Sequence, residues 1–159
     1  MAIGIVLIEP EIPQNTGNIA RTCAATGAAL HLVGKKGFSI EDKYVKRAGL
    51  DYWDKVCVFE HDTFEQLHAQ YPNHAFYFCS THAKQNYADV CYPKDCFLVF
   101  GKETAGLPRE LLQQNLDTCI RIPMQNNIRS LNLANSVAIV LYEVLRQQEF
   151  EGFMLQGDL

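Results

Sequence analysis

Apolar residues run along this chain in short unbroken blocks. "IGIVLIE" closes at Pro10, and "LHLV", "KVCVFE", "HAFYFCST", "CFLVFG" and "TCIRIP" follow. Blocks of this length, rich in β-branched and aromatic residues, predict strands buried on both faces. Between them lie segments with helix punctuation. In "PEIPQNTGNIARTCAATG", Pro13 and Asn15 or Thr16 are start signals and Gly27 is a stop signal. "SIEDKYVKRAG" opens on Ser39 as a cap and closes on Gly49, "DTFEQLHAQY" reads as a third helix, and "PRELLQQN" carries Pro108 at its first helical position. From Leu133 to Leu145 the chain is almost wholly apolar and long enough for a buried helix. Strands alternating with helices predict an α/β fold: a mostly parallel sheet flanked by helices, in a single domain over residues 1–159.

In such sheets ligands sit beyond the carboxyl ends of the strands. Four polar stretches fall there: "PQNTGNIAR", "STHAK", "GKETAGLP" and "MQNNIRSLN". The last helix has only a narrow polar strip, at positions 132, 136, 143 and 147. A helix apolar over most of its surface needs more cover than one sheet face provides, which predicts a second subunit and a homodimer.

Composition narrows the picture. At 48% hydrophobic and 20% charged residues the chain is an ordinary globular one. The opening "MAIGIVLIEPE" has no basic leader and its apolar run ends at Glu9, too short for a signal peptide. No run approaches membrane-spanning length, so a cytoplasmic location is expected. The six cysteines form no C-x-x-C pair and the five histidines complete no zinc spacing, so reduced, buried thiols and no metal are expected. The net charge of −4 argues against a nucleic-acid partner. Locally, however, Lys35, Lys36, Lys43, Lys46 and Arg47 outnumber Glu41 and Asp42. Phosphate contacts depend on local patches, although a solvated helix face would look the same.

No single motif fixes the chemistry. "FGKETAGLP" fails as a phosphate loop, which would need Gly at Cys96 and Ser or Thr at Glu103, and no G-x-G-x-x-G occurs. What remains is a strand delivering Gly101, Glu103 and Gly106 ahead of a proline-started helix; glycines let a ligand approach the backbone, and an ordinary turn would read the same. Asn18 and Arg21, three apart, share a helix face. Arg129, Ser130 and Asn132 precede the last helix, where Ser or Asn also serves as a cap.

In combination and in this order, the segments resemble the SPOUT superfamily of RNA methyltransferases. The resemblance is closest to the small tRNA (cytidine/uridine-34) 2′-O-ribose methyltransferases. "EPEIPQNTGNIARTCAATG" looks like the first motif of that family, "FGKETAGLP" the second and "IRIPMQNNIRSLNLANSVAIVLYE" the third; "KRAG" and "GLDYW" also fit. One departure is Ala105, where many relatives carry a basic or hydroxylated residue. The resemblance implies a C-terminal deep trefoil knot, within about residues 75–150, which general rules on threading would not predict. It implies that S-adenosyl-L-methionine binds in the knot through the region of Cys79, the stretch from Gly101 through Glu103 to Gly106, and Ile122, Met124, Ser130, Leu131 and Asn132. It implies methyl transfer to the ribose 2′-hydroxyl of the wobble nucleotide, C34 or modified U34, of leucine tRNAs. Arg21, with Asn15, is then the catalytic candidate, near the methyl donor of the other subunit of the dimer. An arginine cannot act as a base at neutral pH, so Arg21 is expected to stabilise the developing alkoxide. Arg129 and Tyr142 are candidate RNA or interface residues. Lys43, Lys46 and Arg47 are candidates for the tRNA anticodon stem-loop on charge alone. Competing readings are a SPOUT enzyme for another tRNA position or for rRNA, a non-catalytic RNA- or cofactor-binding protein of the same fold, and an unrelated dimeric nucleotide-binding module.

Overall fold

Because both faces of the central strands are buried, each apolar run divides its side chains between two cores. Ile3, Ile5 and Leu7 of strand β1 (Ile3–Ile8) join one cluster, and Val6 and Ile8 join the other. Strand β5 (Cys96–Phe100) divides in the same way, with Leu98 and Phe100 on one side and Phe97 and Val99 on the other. The computed structural model describes residues 3–48 and 52–159.

The elements in chain order are β1, α1 (Pro13–Thr26), β2 (Ala29–Val33), α2 (Lys43–Ala48), β3 (Val58–His61), α3 (Phe64–Gln70), β4 (Ala75–Cys79), β5, α4 (Arg109–Gln114), β6 (Cys119–Ile120) and α5 (Leu133–Gln147). The six strands form one sheet in the order β3-β2-β1-β5-β4-β6, and every pairing is parallel. The expected α/β architecture is therefore the observed one. Helices α1 and α5 contribute Ile19, Ala20, Cys23, Val137, Val140, Leu141, Val144 and Leu145 to one core. Leu67 of α3, with Leu111 and Leu112 of α4, packs on the opposite face. The sheet changes winding direction between β1 and β5, so the loops after these two strands diverge and leave a crevice at their carboxyl ends.

Several local expectations change. Helix α2 begins at Lys43 and not at Ser39. Ser39 Oγ accepts the Glu41 N–H and Asp42 Oδ1 accepts the Tyr44 N–H, so side chains hold the preceding residues in turns. Its expected stop at Gly49, and the first three residues of "GLDYW", lie outside the described residues. Pro108 is the N-cap of α4 with extended ψ, one position before the helix. The "TCIRIP" run yields only a two-residue strand. Beyond it the Arg121 N–H donates to Gln85 and the Arg121 carbonyl accepts from Tyr87, so pairing passes from β4 to the segment after it. All six cysteines are free, but Cys57 and Cys91 are exposed, against the expectation of buried thiols. Cys57 sits just before β3 and Cys91 in a loop, where no core covers them. No helix among the described residues is long and apolar enough to cross a membrane.

Candidate active site

Four loops leave the carboxyl ends of β1, β4, β5 and β6, and their residues line one cleft of about 780 Å³. Asn15 comes from the first turn of α1, just past the first loop, Cys79 from the end of β4, where the second begins, Gly101, Glu103 and Gly106 from the third, and Ile122, Met124, Arg129, Ser130, Leu131 and Asn132 from the last. Every residue that the resemblance assigns to the cofactor lies on this cleft. A neighbouring hollow of about 900 Å³ on the α4 side holds only Gly106 of that set. The larger volume is thus not where the motif residues converge.

Side-chain hydrogen bonds tie the loops together. Glu103 accepts the backbone N–H groups of Glu11 at 2.8 Å and Ile12 at 3.2 Å, and the Asn15 side-chain amide at 3.4 Å. Helix α1 has no side-chain cap from its own N-cap residue, Ile12. A carboxylate from 91 residues away therefore takes over part of the capping that local sequence lacks. Glu11 answers in the reverse direction: its Oε1 accepts the Thr104 hydroxyl at 2.7 Å and the Thr104 N–H at 3.1 Å. These two bonds, the hydroxyl first, hold the Glu11 carboxyl below its ordinary range. The first and second motifs are thus clasped by two glutamates pointing opposite ways.

Asn15, only 7% exposed, carries the connection to the third motif. Its Oδ1 accepts Asn132 Nδ2 at 3.1 Å, and Asn132 Oδ1 caps α5 by accepting the Asn135 N–H at 3.1 Å. Asn127 in the last loop adopts φ 75°, a left-handed conformation that asparagine tolerates better than most residues. The crowd of amides ahead of the apolar helix thus serves turn, cap and inter-loop bond.

Backbone proximity explains the glycines. A Cβ on Gly101 would lie 2.0 Å from the Gly106 carbonyl carbon and 2.2 Å from the Leu107 nitrogen. Gly106 has φ 69° and donates its N–H to the Lys102 carbonyl at 2.9 Å, closing the loop. Cys79 is a neutral wall of the cleft: burial pushes its thiol up to about 12. A thiol in that state is a poor nucleophile.

The structure does not bring Arg21 into this cleft. Its side chain is exposed on α1, with the guanidinium carbon 4.9 Å above the ring centre of Tyr52. Of the expected catalytic pair, Asn15 and Arg21, only Asn15 faces the cleft of its own chain. Tyr142 is 44% exposed on α5, beside Phe150 and away from the cleft, whereas Arg129 lines it. In the basic run, Lys36 is paired with Glu60 at 2.6 Å, Lys43 stands over the Tyr44 ring and Arg47 is exposed. The side chain of Lys46 lies outside the described residues. Among the described residues no cluster of His, Cys, Asp or Glu suits a metal ion.

Sequence reasoning missed Glu11, Thr104 and Tyr52. The first two are joined across 93 positions and no spacing rule connects them. Tyr52 carried a signal, since it lies within the "GLDYW" segment.

A relative from Geobacillus stearothermophilus is 51% identical over 155 residues, 96% of this chain and 99% of its own. The tRNA (cytidine(34)-2'-O)-methyltransferase of Methylovorus glucosotrophus is 45% identical over 93% of this chain and 97% of its own. A structure solved to give insight into 2-OH methylation of C/U34 on tRNA superposes with a TM-score of 0.89 at 39% identity, covering 94% of this chain and 98% of that one. The SpoU rRNA Methylase family matches residues 2–142, and with this likeness over nearly its whole length the chain belongs to that family.

Proposed function

We propose that this chain is an S-adenosylmethionine-dependent tRNA 2′-O-ribose methyltransferase acting on the wobble nucleotide of the anticodon stem-loop, as a homodimer whose C-terminal segment is threaded as a knot. The observation that carries the reading is the convergence of all three motifs on one cleft. The relatives named above for tRNA position 34 support the target.

The cleft fits the methyl donor. Its volume is that of a small-molecule site. Phe100, Leu107, Ile122 and Leu133 offer apolar wall, while the Gly101–Gly106 loop and the 122–132 loop offer backbone groups. Bound there, S-adenosylmethionine supplies an electrophilic methyl group on a sulfonium. Burial keeps the Cys79 thiol protonated, so it lines the cleft as a neutral wall. Asn15 and Glu103 hold the loops in register. Arg21 belongs to the other subunit's site, where its permanent charge stabilises the oxygen as it loses its proton to a phosphate or to water. Arg129, on the rim, Lys43, Arg47 and Tyr142, outside the cleft, and Lys46 are the candidate RNA contacts.

The test is labelled S-adenosylmethionine with tRNA unmodified at the wobble position, followed by nucleoside mass spectrometry. A 2′-O-methylated pyrimidine mapped to the first anticodon position supports the reading; methyl transfer to any other nucleotide replaces it. Arg21→Ala is expected to abolish turnover while donor binding, measured by calorimetry, survives.

A further inference from the structure

An arginine that must meet a reacting oxygen needs a fixed plane and free N–H groups. A carboxylate partner would fix it but would offset its charge and occupy its donors. An aromatic face fixes the plane and leaves the in-plane N–H groups available. Arg21 is held in the second way: among the described residues, the guanidinium rests on the ring of Tyr52, 4.9 Å from its centre.

The ring is itself anchored. Tyr52 immediately precedes a 3-10 turn at Trp53–Lys55, and Trp53 and Val56 pack against the core cluster that contains Ile19, Ala20 and Cys23 of α1. The turn and the helix that carries Arg21 thus share one core, and the separation of ring and guanidinium is inherited from it. Arg21 has several rotatable bonds and an exposed position, so without the ring its head would sample many placements.

We infer that Tyr52 is a positioning residue, its ring presenting the Arg21 guanidinium for transfer. The inference rests on the reading of Arg21 as the catalytic arginine. The test uses the full chain and compares Tyr52→Leu, Tyr52→Phe and Arg21→Ala in steady-state methyl transfer to tRNA. Misplacing a reacting group by about 1 Å costs up to about 100-fold. Tyr52→Leu is expected to lower kcat about 10-fold or more, with KM for tRNA and for S-adenosylmethionine within about twofold of wild type. Tyr52→Phe keeps the ring face and is expected to retain most of the turnover. In an Arg21→Lys background the cost of Tyr52→Leu is expected to shrink, because an ammonium has no plane to align. A purely structural role would give the same loss in both backgrounds, and a loss shared equally by Tyr52→Phe would assign the effect to the hydroxyl; either overturns the inference. So does a rise confined to KM for tRNA, which would place the ring against RNA. If Tyr52→Leu does not fold, Tyr52→Met carries the same comparison. Full turnover by Arg21→Ala would instead overturn the reading of Arg21, whatever Tyr52 does.

Discussion

Replacing Glu103 by alanine separates two roles for one carboxylate: clasp between loops, or direct contact with the methyl donor. The geometry favours the clasp, because both oxygens are engaged by the start of α1. The bond from the Glu11 N–H is short and partly buried, and a hydrogen bond to a charged acceptor contributes about 1.5–3 kcal/mol. The bond from the Ile12 N–H is longer and exposed, so it adds little. Losing a helix N-cap to alanine costs about 1 kcal/mol, an overlapping estimate of the same effect. A loss of about 2 kcal/mol is therefore expected. For a domain of this size that lowers Tm by about 4–8 °C in differential scanning calorimetry. Glu103→Gln keeps one acceptor oxygen and is expected to lose about half as much. Calorimetric titration with S-adenosylmethionine on the same variants completes the assay, and affinity is expected to fall only as far as the loosened 101–106 loop requires. An unchanged Tm combined with a loss of donor binding would refute the clasp and make Glu103 a ligand contact.

Further predictions follow from individual contacts. Gly101→Ala drives a Cβ into the Gly106 and Leu107 backbone, so the loop must open; donor binding is expected to weaken at least about 10-fold, and unchanged binding would mean the loop backbone lies elsewhere. His31, 2% exposed, shares a 3.0 Å hydrogen bond with His61, and burial, then the neighbouring His61, lowers it to about 4. Its folded value lies below the unfolded one of about 6.5, so the contribution is complete above about pH 6.5 and is lost as pH falls toward 4. The amount is about 3 kcal/mol, read from urea unfolding between pH 4.5 and 7.5. His31→Gln, which cannot take up a proton, is expected to flatten that slope; an equally steep slope in the variant would assign it to other groups.

The sequence by itself determined the elements and the chemistry-bearing segments. Unbroken apolar runs are legible because a strand buried on both faces has no polar side to encode, and the β1 and β5 strands follow them. The span of α1 was readable from Pro13 and Gly27, whose backbone preferences act locally; Gly27 closes the helix at φ 77°. Asn15, Gly101, Ser130 and Asn132 could be named because motif order is itself a sequence property. Tertiary structure alone decided the strand order, with β5 set between β1 and β4. It alone decided that a glutamate from the third loop would cap the first helix, that Asn15 would face the cleft, and that Arg21 would lie on Tyr52 instead. Periodicity and caps report interactions within a few residues, whereas these contacts join positions 31 to 117 residues apart. Such pairings exist only once the sheet has set the distances between its loops.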